Sequence, residues 1–276
     1  MRKIDTHQHF WQYNPVKDGW INDKMKALKR DFLPADLSHL LLANDVEGCL
    51  AVQADQSEAE TAFLLSCAKA HSFIKGVIGW TDICSPALEE RLQYYSAFPG
   101  LKGFRHILQA ERDRAFMLRP DFKNGISLLA QYGFTYDLLI YPDQLLFARE
   151  LALSFPQQRF ILDHGGKPDI KNGGNTGWEE EVKILGTCNN VYCKLSGLIT
   201  EAHWTRWTYT DIKPYLDIIV QAFGTRRVMF GSDWPVCLLA GNYEKVIQLI
   251  STYTASYTPE EQEAIWHGNA VACYNL

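Results

Sequence analysis

The sequence lacks any apolar run near the about 18 residues that a membrane span requires. It also lacks an excess of basic charge. Lys plus Arg is 27 against 32 for Asp plus Glu, a net charge of −5, so the basic footprint of a nucleic-acid binder is missing. Its seven cysteines are odd in number and include no CxxC pair. They read as reduced, mostly buried thiols of a cytoplasmic protein rather than as a disulfide framework. The start, MRKIDTHQHF, has two basic residues but no apolar stretch, so no secretory signal is expected. Repeats, charge blocks and Gly/Ser linkers are also missing, which leaves one domain over residues 1–276. The densest glycine stretch, 165–177, reads as a loop.

What is present is an alternation of short β-rich runs with longer helical patterns. Eight runs stand out: 2–9, 46–55, 74–82, 101–108, 134–141, 159–164, 191–197 and 228–234. Helical segments are expected at 57–71, 86–97, 142–154, 211–223, 241–256 and 259–270. Ser57 with Glu60 and Thr258 with Glu261 have the spacing of capping boxes. Pro86, Pro142 and Pro259 stand near helix starts. Eight strand–helix repeats predict an α/β fold, a (β/α)8 barrel with long loops at its C-terminal face. A doubly wound open sheet is the competitor, but His-Phe-Trp follows the first strand where such a sheet often carries GxGxxG.

In such a barrel the chemistry sits at the C-terminal strand ends. Those ends carry His7/His9, Gln53/Asp55, Trp80/Asp82, Arg105/His106, Asp137/Tyr141, His164, Lys194 and Asp233. His7 and His9 share a strand face by alternation, with Asp5 on that face one layer deeper. If His164 faces the interior, neighbouring Asp163 faces the helices. Gly231-Ser232-Asp233-Trp234-Pro235 ends the last strand and leaves Asp233 at the mouth. Each feature has a plain structural explanation: solvated edge histidines, a polar strand cap, a turn aspartate. Three imidazoles and a carboxylate from three strands instead fit a hydrolytic metal site with an open water position. Lys194 either donates to a substrate oxygen or pairs with an internal carboxylate. Of Arg105 and His106, only one can point inward. Trp11, Tyr13 and Trp20 (loop 10–33) and Trp204, Trp207 and Tyr209 (loop 198–210) offer stacking surfaces for a sugar ring on two lids. Their alternatives are a plug over the barrel end or a contact within a homo-oligomer.

The segments IDTHQHFW, VQADQSEAET, GFRHIL, ILDHGGKP, CKLSGL and GSDWP run in order along nearly the whole chain. Through them the chain resembles the amidohydrolase superfamily, and within it the sugar-lactonase branch of L-fuconolactonase- and L-rhamnonolactonase-like proteins. The resemblance implies a distorted barrel that hydrolyses a lactone. It implies a central site of His7, His9, His164 and Asp233, with Arg105, His106 and Lys194 as substrate contacts. Gln53, Trp20 and Trp204 join them as candidate sugar contacts. No second His-bearing strand end of the DH type accompanies these residues, so the expectation is one divalent metal, zinc by its imidazole ligands, or none. The expected reaction is opening of an aldonolactone to its aldonic acid. A metal-dependent decarboxylase, an amide hydrolase and a non-catalytic sugar-acid binder are the alternatives.

Overall fold

The computed structural model describes residues 1–174 and 177–276. Asn175 and Thr176, within the loop expected at 165–177, lie outside the described residues. Eight strands form one parallel sheet in chain order. They are β1 (Ile4–Gln8), β2 (Gly48–Val52), β3 (Ile74–Gly79), β4 (Leu101–His106), β5 (Thr135–Leu138), β6 (Phe160–Leu162), β7 (Val191–Leu195) and β8 (Val228–Phe230). All eight expected runs contain a strand, and each strand is shorter than its run. His9, Gln53, His164 and Asp233 lie just beyond the strand ends, whereas His7, Arg105, His106, Asp137 and Lys194 are each among the last two residues of β1, β4, β5 or β7.

The helices are α1 (Pro34–Ala43), α2 (Glu58–Ala70), α3 (Leu88–Tyr95), α4 (Pro120–Tyr132), α5 (Leu145–Ser154), α6 (Trp178–Leu185), α7 (Tyr209–Phe223), α8 (Tyr243–Thr254), α9 (Pro259–Glu263) and α10 (Asn269–Tyr274). The six expected helical segments correspond to α2, α3, α5, α7, α8 and the α9–α10 run. A π turn at Ala264–Gly268 splits that last run. The sequence pattern gave no separate sign of α1, α4 or α6. The Thr258 capping box forms on both sides. The Ser57 box forms on one: its hydroxyl accepts from Glu60 N–H, but the Glu60 carboxylate accepts from Ala54 and Asp55 N–H instead.

Inward-facing apolar side chains fill the lower barrel: Ile4, Leu50, Val52, Ile78, Ile161 and Met229. Ala270, Cys273 and Tyr274 of α10 pack with them and stopper the bottom. Burial of each large aliphatic side chain contributes roughly 1.5–3 kcal/mol. The barrel closes at the mouth rather than along a full β8–β1 ladder. Asp233 N–H donates to His7 C=O at 2.7 Å, and His9 N–H donates to Trp234 C=O at 2.7 Å. Gly231 allows this seam, because a Cβ there would stand 2.8 Å from the His7 Cβ. The candidate site therefore sits on the closing seam.

Candidate active site

The register of β1 against β2 shifts between Asp5 and Gln8. The shift corrects the expectation for Asp5. Asp5 leaves the face of His7 and turns towards α8, where it accepts from Tyr243 Oη at 3.2 Å and Ser232 N–H at 2.8 Å. Burial pushes its carboxyl up to about 6. His7 and His9 keep the inward face, their ring centroids 4.9 Å apart.

β6 stops at Leu162, and His164 follows in the left-handed region with φ 54°. That turn breaks strand alternation, so Asp163 does not face the helices. Fully buried, it lies inside the barrel 2.9 Å from Arg105 Nη1, 3.1 Å from Lys194 Nζ and 3.2 Å from His7 Nδ1. Asp233 also has a positive φ, 56°, beyond the end of β8. Such backbone in a non-glycine residue costs of order 1–3 kcal/mol and needs support from its surroundings. Here it aims both side chains across the mouth.

Asp233 Oδ1 stands 3.4 Å from His9 Nε2, 3.8 Å from His7 Nε2 and 3.9 Å from His164 Nε2. Each imidazole is oriented through its other nitrogen: His7 Nδ1 at Asp163, His9 Nδ1 at Val52 C=O (2.8 Å), His164 Nδ1 at Ser196 Oγ (2.9 Å). Fixing one ring nitrogen so that the other is presented is the arrangement that metal-binding histidines need. One ligand atom each from His7, His164 and Asp233 lies within 4.8 Å of the others, so this group can hold a metal ion. Burial drives the His7 imidazole well below its usual range, and pushes His164 down to about 4. Burial opposes ionisation of Asp233, but His164, His9 and His7 outweigh it and hold the carboxyl well below the usual range.

The four residues expected at the centre therefore converge. Arg105, rather than His106, points inward. Its Nη1 contacts His7 Nε2 at 3.2 Å, and its Nη2 donates to Gln53 C=O. Gln53 Nε2 donates back to Arg105 C=O at 3.0 Å, which ties it to the arginine and away from the cavity lining. His106 lies to the side, 2.7 Å from Glu111 Oε1 and stacked on Phe116. Lys194 is fully buried beneath the site and pairs with Asp137 and Asp163. Of its two expected roles, the structure places it in the internal pair. Asp137 also accepts from Tyr274 Oη at 3.2 Å.

A cavity of about 270 Å³ opens over the cluster, lined by His9, Arg105, His164 and Asp233 on one side. Trp11 and Trp20 of the first loop border it, together with Lys167. Trp204 does not. With Trp207 and Tyr209 it lines a separate depression of about 300 Å³, and its indole N–H donates to Thr200 C=O. The second aromatic loop thus lies apart from the mouth. Ser196, Lys167 and Gln109 were not singled out from the sequence. Ser196 and Lys167 lie within the KLSG and DHGGKP segments, whereas Gln109 has only its place after a strand end to mark it.

The amidohydrolase family model matches residues 4–276. An L-fucono-1,5-lactonase of Burkholderia multivorans is 39% identical, over 99% of this chain and 96% of its own length. Another, from Burkholderia ambifaria, is 33% identical over 87% of this chain and 83% of its own. A crystal structure of a Burkholderia multivorans amidohydrolase with bound zinc is 39% identical, covers 100% of both chains and has a TM-score of 0.96. A family match spanning nearly the whole sequence, on a barrel whose seam carries these histidines and this aspartate, makes the chain a member of the amidohydrolase family.

Proposed function

We propose that the protein opens a sugar lactone, of the L-fuconolactone or L-rhamnonolactone kind, to its aldonic acid. The observation that carries the reading is the approach of three imidazole Nε2 atoms to Asp233 Oδ1, within 3.4–3.9 Å, beneath a cavity with aromatic walls. The relatives that are L-fucono-1,5-lactonases support the substrate class.

Asp233, ionised at neutral pH, accepts a proton from water held among the imidazoles. The hydroxide attacks the lactone carbonyl from the Asp233 side. Arg105, bonded beneath the imidazoles, adds positive charge where the oxyanion develops. Asp233 then returns its proton to the departing ring oxygen. Trp20 and Trp11 stack on the ring face and exclude water. The donor set fits one divalent ion, zinc by its two imidazoles and carboxylate, held by His7, His164 and Asp233 with His9 beside them. When bound, that ion supplies Lewis-acid polarisation of the carbonyl and a more acidic water. The seven free thiols suit a reducing compartment, and we place the reaction in the cytoplasm.

The experiment is a panel of 1,4- and 1,5-aldonolactones followed by acid release, with aromatic carboxylic acids followed for carbon dioxide as the contrast. Acid release from an L-fucono- or L-rhamnonolactone is the expected outcome. Carbon dioxide release without lactone opening would replace the hydrolase reading by a decarboxylase.

A further inference from the structure

β1 carries one residue more than β2 over the stretch that delivers the histidines. Three steps along β1, from Asp5 to Gln8, answer two along β2, from Cys49 to Ala51. An extra residue of this kind is a bulge, which re-aims a side chain and disrupts the local ladder. His7 sits within it. On its other edge β1 meets the end of β8 along the closing seam. There Thr6 Oγ1 donates to Phe230 C=O at 2.6 Å, and Asp233 N–H and His9 N–H donate across the mouth. A regular ladder therefore does not set the distance between His7 and Asp233.

Asp5 supplies the missing tie. It is fully buried, and a buried carboxylate is tolerated only where its lone pairs are used. Its Oδ1 accepts from His7 N–H at 3.1 Å, within the bulge, and from Ser232 N–H at 2.8 Å, beyond β8. A carboxylate oxygen has two lone pairs, so one atom can serve both donors. That atom links His7 to the residue before Asp233. Oδ2 accepts from Tyr243 Oη at 3.2 Å, which anchors the carboxylate to α8. From Ser232 the bonds run on towards His9. Ser232 Oγ accepts from Trp234 N–H at 3.0 Å, and Trp234 C=O accepts from His9 N–H at 2.7 Å. His7, Asp233 and His9 are thus all connected through one buried side chain.

We propose that Asp5 is a positioning residue for the reaction: its carboxylate holds the β1 bulge and the β8 end in the register that brings His7 and His9 to Asp233. Asp5 does not line the cavity and touches no reacting atom. It acts by accepting two N–H bonds from two strand ends at once. An amide oxygen in the same place can do the same. A side chain without an acceptor cannot, and a carboxylate one methylene longer cannot reach both donors from the same backbone. The effect on rate rests on the sugar-lactone reading, whereas the effect on the two imidazoles does not.

The test compares wild type with Asp5→Ala, Asp5→Glu and Asp5→Asn in two ways. One is kinetics on L-fucono-1,5-lactone. The other is the imidazole NMR signals of His7 and His9, assigned with His7→Gln and His9→Gln. Circular dichroism selects the folded variants. A displacement of about 1 Å can cost about a hundredfold, so Asp5→Ala and Asp5→Glu should lose about that much in kcat. Their KM should move by less than about threefold, and both ring signals should shift. Asp5→Asn should keep the ring signals and stay within about tenfold of the wild-type kcat. Tyr243→Phe leaves both seam bonds in place, so it should lower the denaturation midpoint without changing kcat. Wild-type kcat in folded Asp5→Ala or Asp5→Glu, or unmoved ring signals, overturns the proposal. So does an Asp5→Asn or Tyr243→Phe loss as large as that of Asp5→Ala, because kcat then follows charge or stability. Failure of both Asp5→Ala and Asp5→Glu to fold also overturns it, by making the carboxylate a requirement of folding. Wild type that opens no lactone overturns the lactonase reading, and the ring signals alone then decide the role of Asp5.

Discussion

In the proposed reaction Asp233 carries the proton. It must be ionised before attack and protonated after it, and Asp233→Asn keeps the volume while removing the base. A positioned general base contributes about 10²- to 10⁴-fold, so kcat should fall by at least about a hundredfold in a folded variant. Steady-state kinetics with circular dichroism checks this, and near-normal kcat would demote Asp233 to a strand-end turn residue. Arg105 carries a second prediction. Its guanidinium has no acceptor, so at 3.2 Å it must donate to the lone pair of His7 Nε2. A cation bound by His7 needs that same lone pair, and it would sit beside a fixed positive charge. Arg105→Met should therefore tighten zinc binding by about tenfold or more, measured by competition with a chromophoric chelator. An unchanged affinity would show that arginine and metal do not compete.

At the scale of elements, the site depends on how strands end. β6 and β8 each finish with a left-handed residue that carries a functional side chain, His164 and Asp233. Ser196 and Gly197 follow the end of β7, and these fit His164 from the other side. Ser196 Oγ holds the imidazole, and Gly197, with φ 67°, leaves room where a Cβ would stand 2.4 Å from His164 Nδ1. Gly197→Ala should cost about 1–3 kcal/mol through backbone strain and should displace the imidazole. Its expected signature is a lowered denaturation midpoint together with a fall in kcat. Loss of stability with kcat unchanged would mean that His164 tolerates the displacement. These strand ends also depart from strict alternation. Strict alternation put Asp5 inside and Asp163 outside. A register shift in β1 and a left-handed turn after β6 reverse both, and neither leaves a mark in the hydrophobic pattern.

Across the whole molecule, a buried ionic layer separates the apolar plug from the mouth. Asp137 faces Lys194 from β7, Asp163 beyond β6, Arg105 from β4 and Tyr274 from α10. Burial outweighs the attraction of Lys194 and pushes Asp137 up to about 6 from 3.8. The native state therefore binds this proton more tightly than the unfolded chain does. The contribution is full below about pH 4 and is lost as pH rises through 6. Asp5, also raised to about 6, acts in the same sense, while lowered His7 and His164 act in the opposite sense between pH 4 and 6.5, so the wild-type profile should be nearly flat there. Asp137→Asn removes one of the two falling components. Relative to wild type, the variant should gain stability on the order of 1–3 kcal/mol between pH 4 and 7, read from urea unfolding at each pH. A constant gap across that range would show that Asp137 does not titrate there. Tyr274→Phe, which cuts the tie from the bottom helix to this layer, should lower stability by about 1 kcal/mol at neutral pH.

The sequence by itself determined the barrel, its eight strands, and the set of His7, His9, His164 and Asp233 as a group at the strand ends. Strand–helix alternation is a local pattern, and in a parallel barrel it dictates that every strand end faces the same side. Only the tertiary structure decided what surrounds that group. It chose Arg105 over His106, sent Lys194 below the site, and moved Trp204 to a different depression. It also drew Asp163 inward. The placements of Asp163, Arg105 and Lys194 depend on a left-handed residue or on a charge that must find a partner once buried. Such outcomes are settled by contacts between residues far apart in the chain, and no short stretch of sequence encodes them.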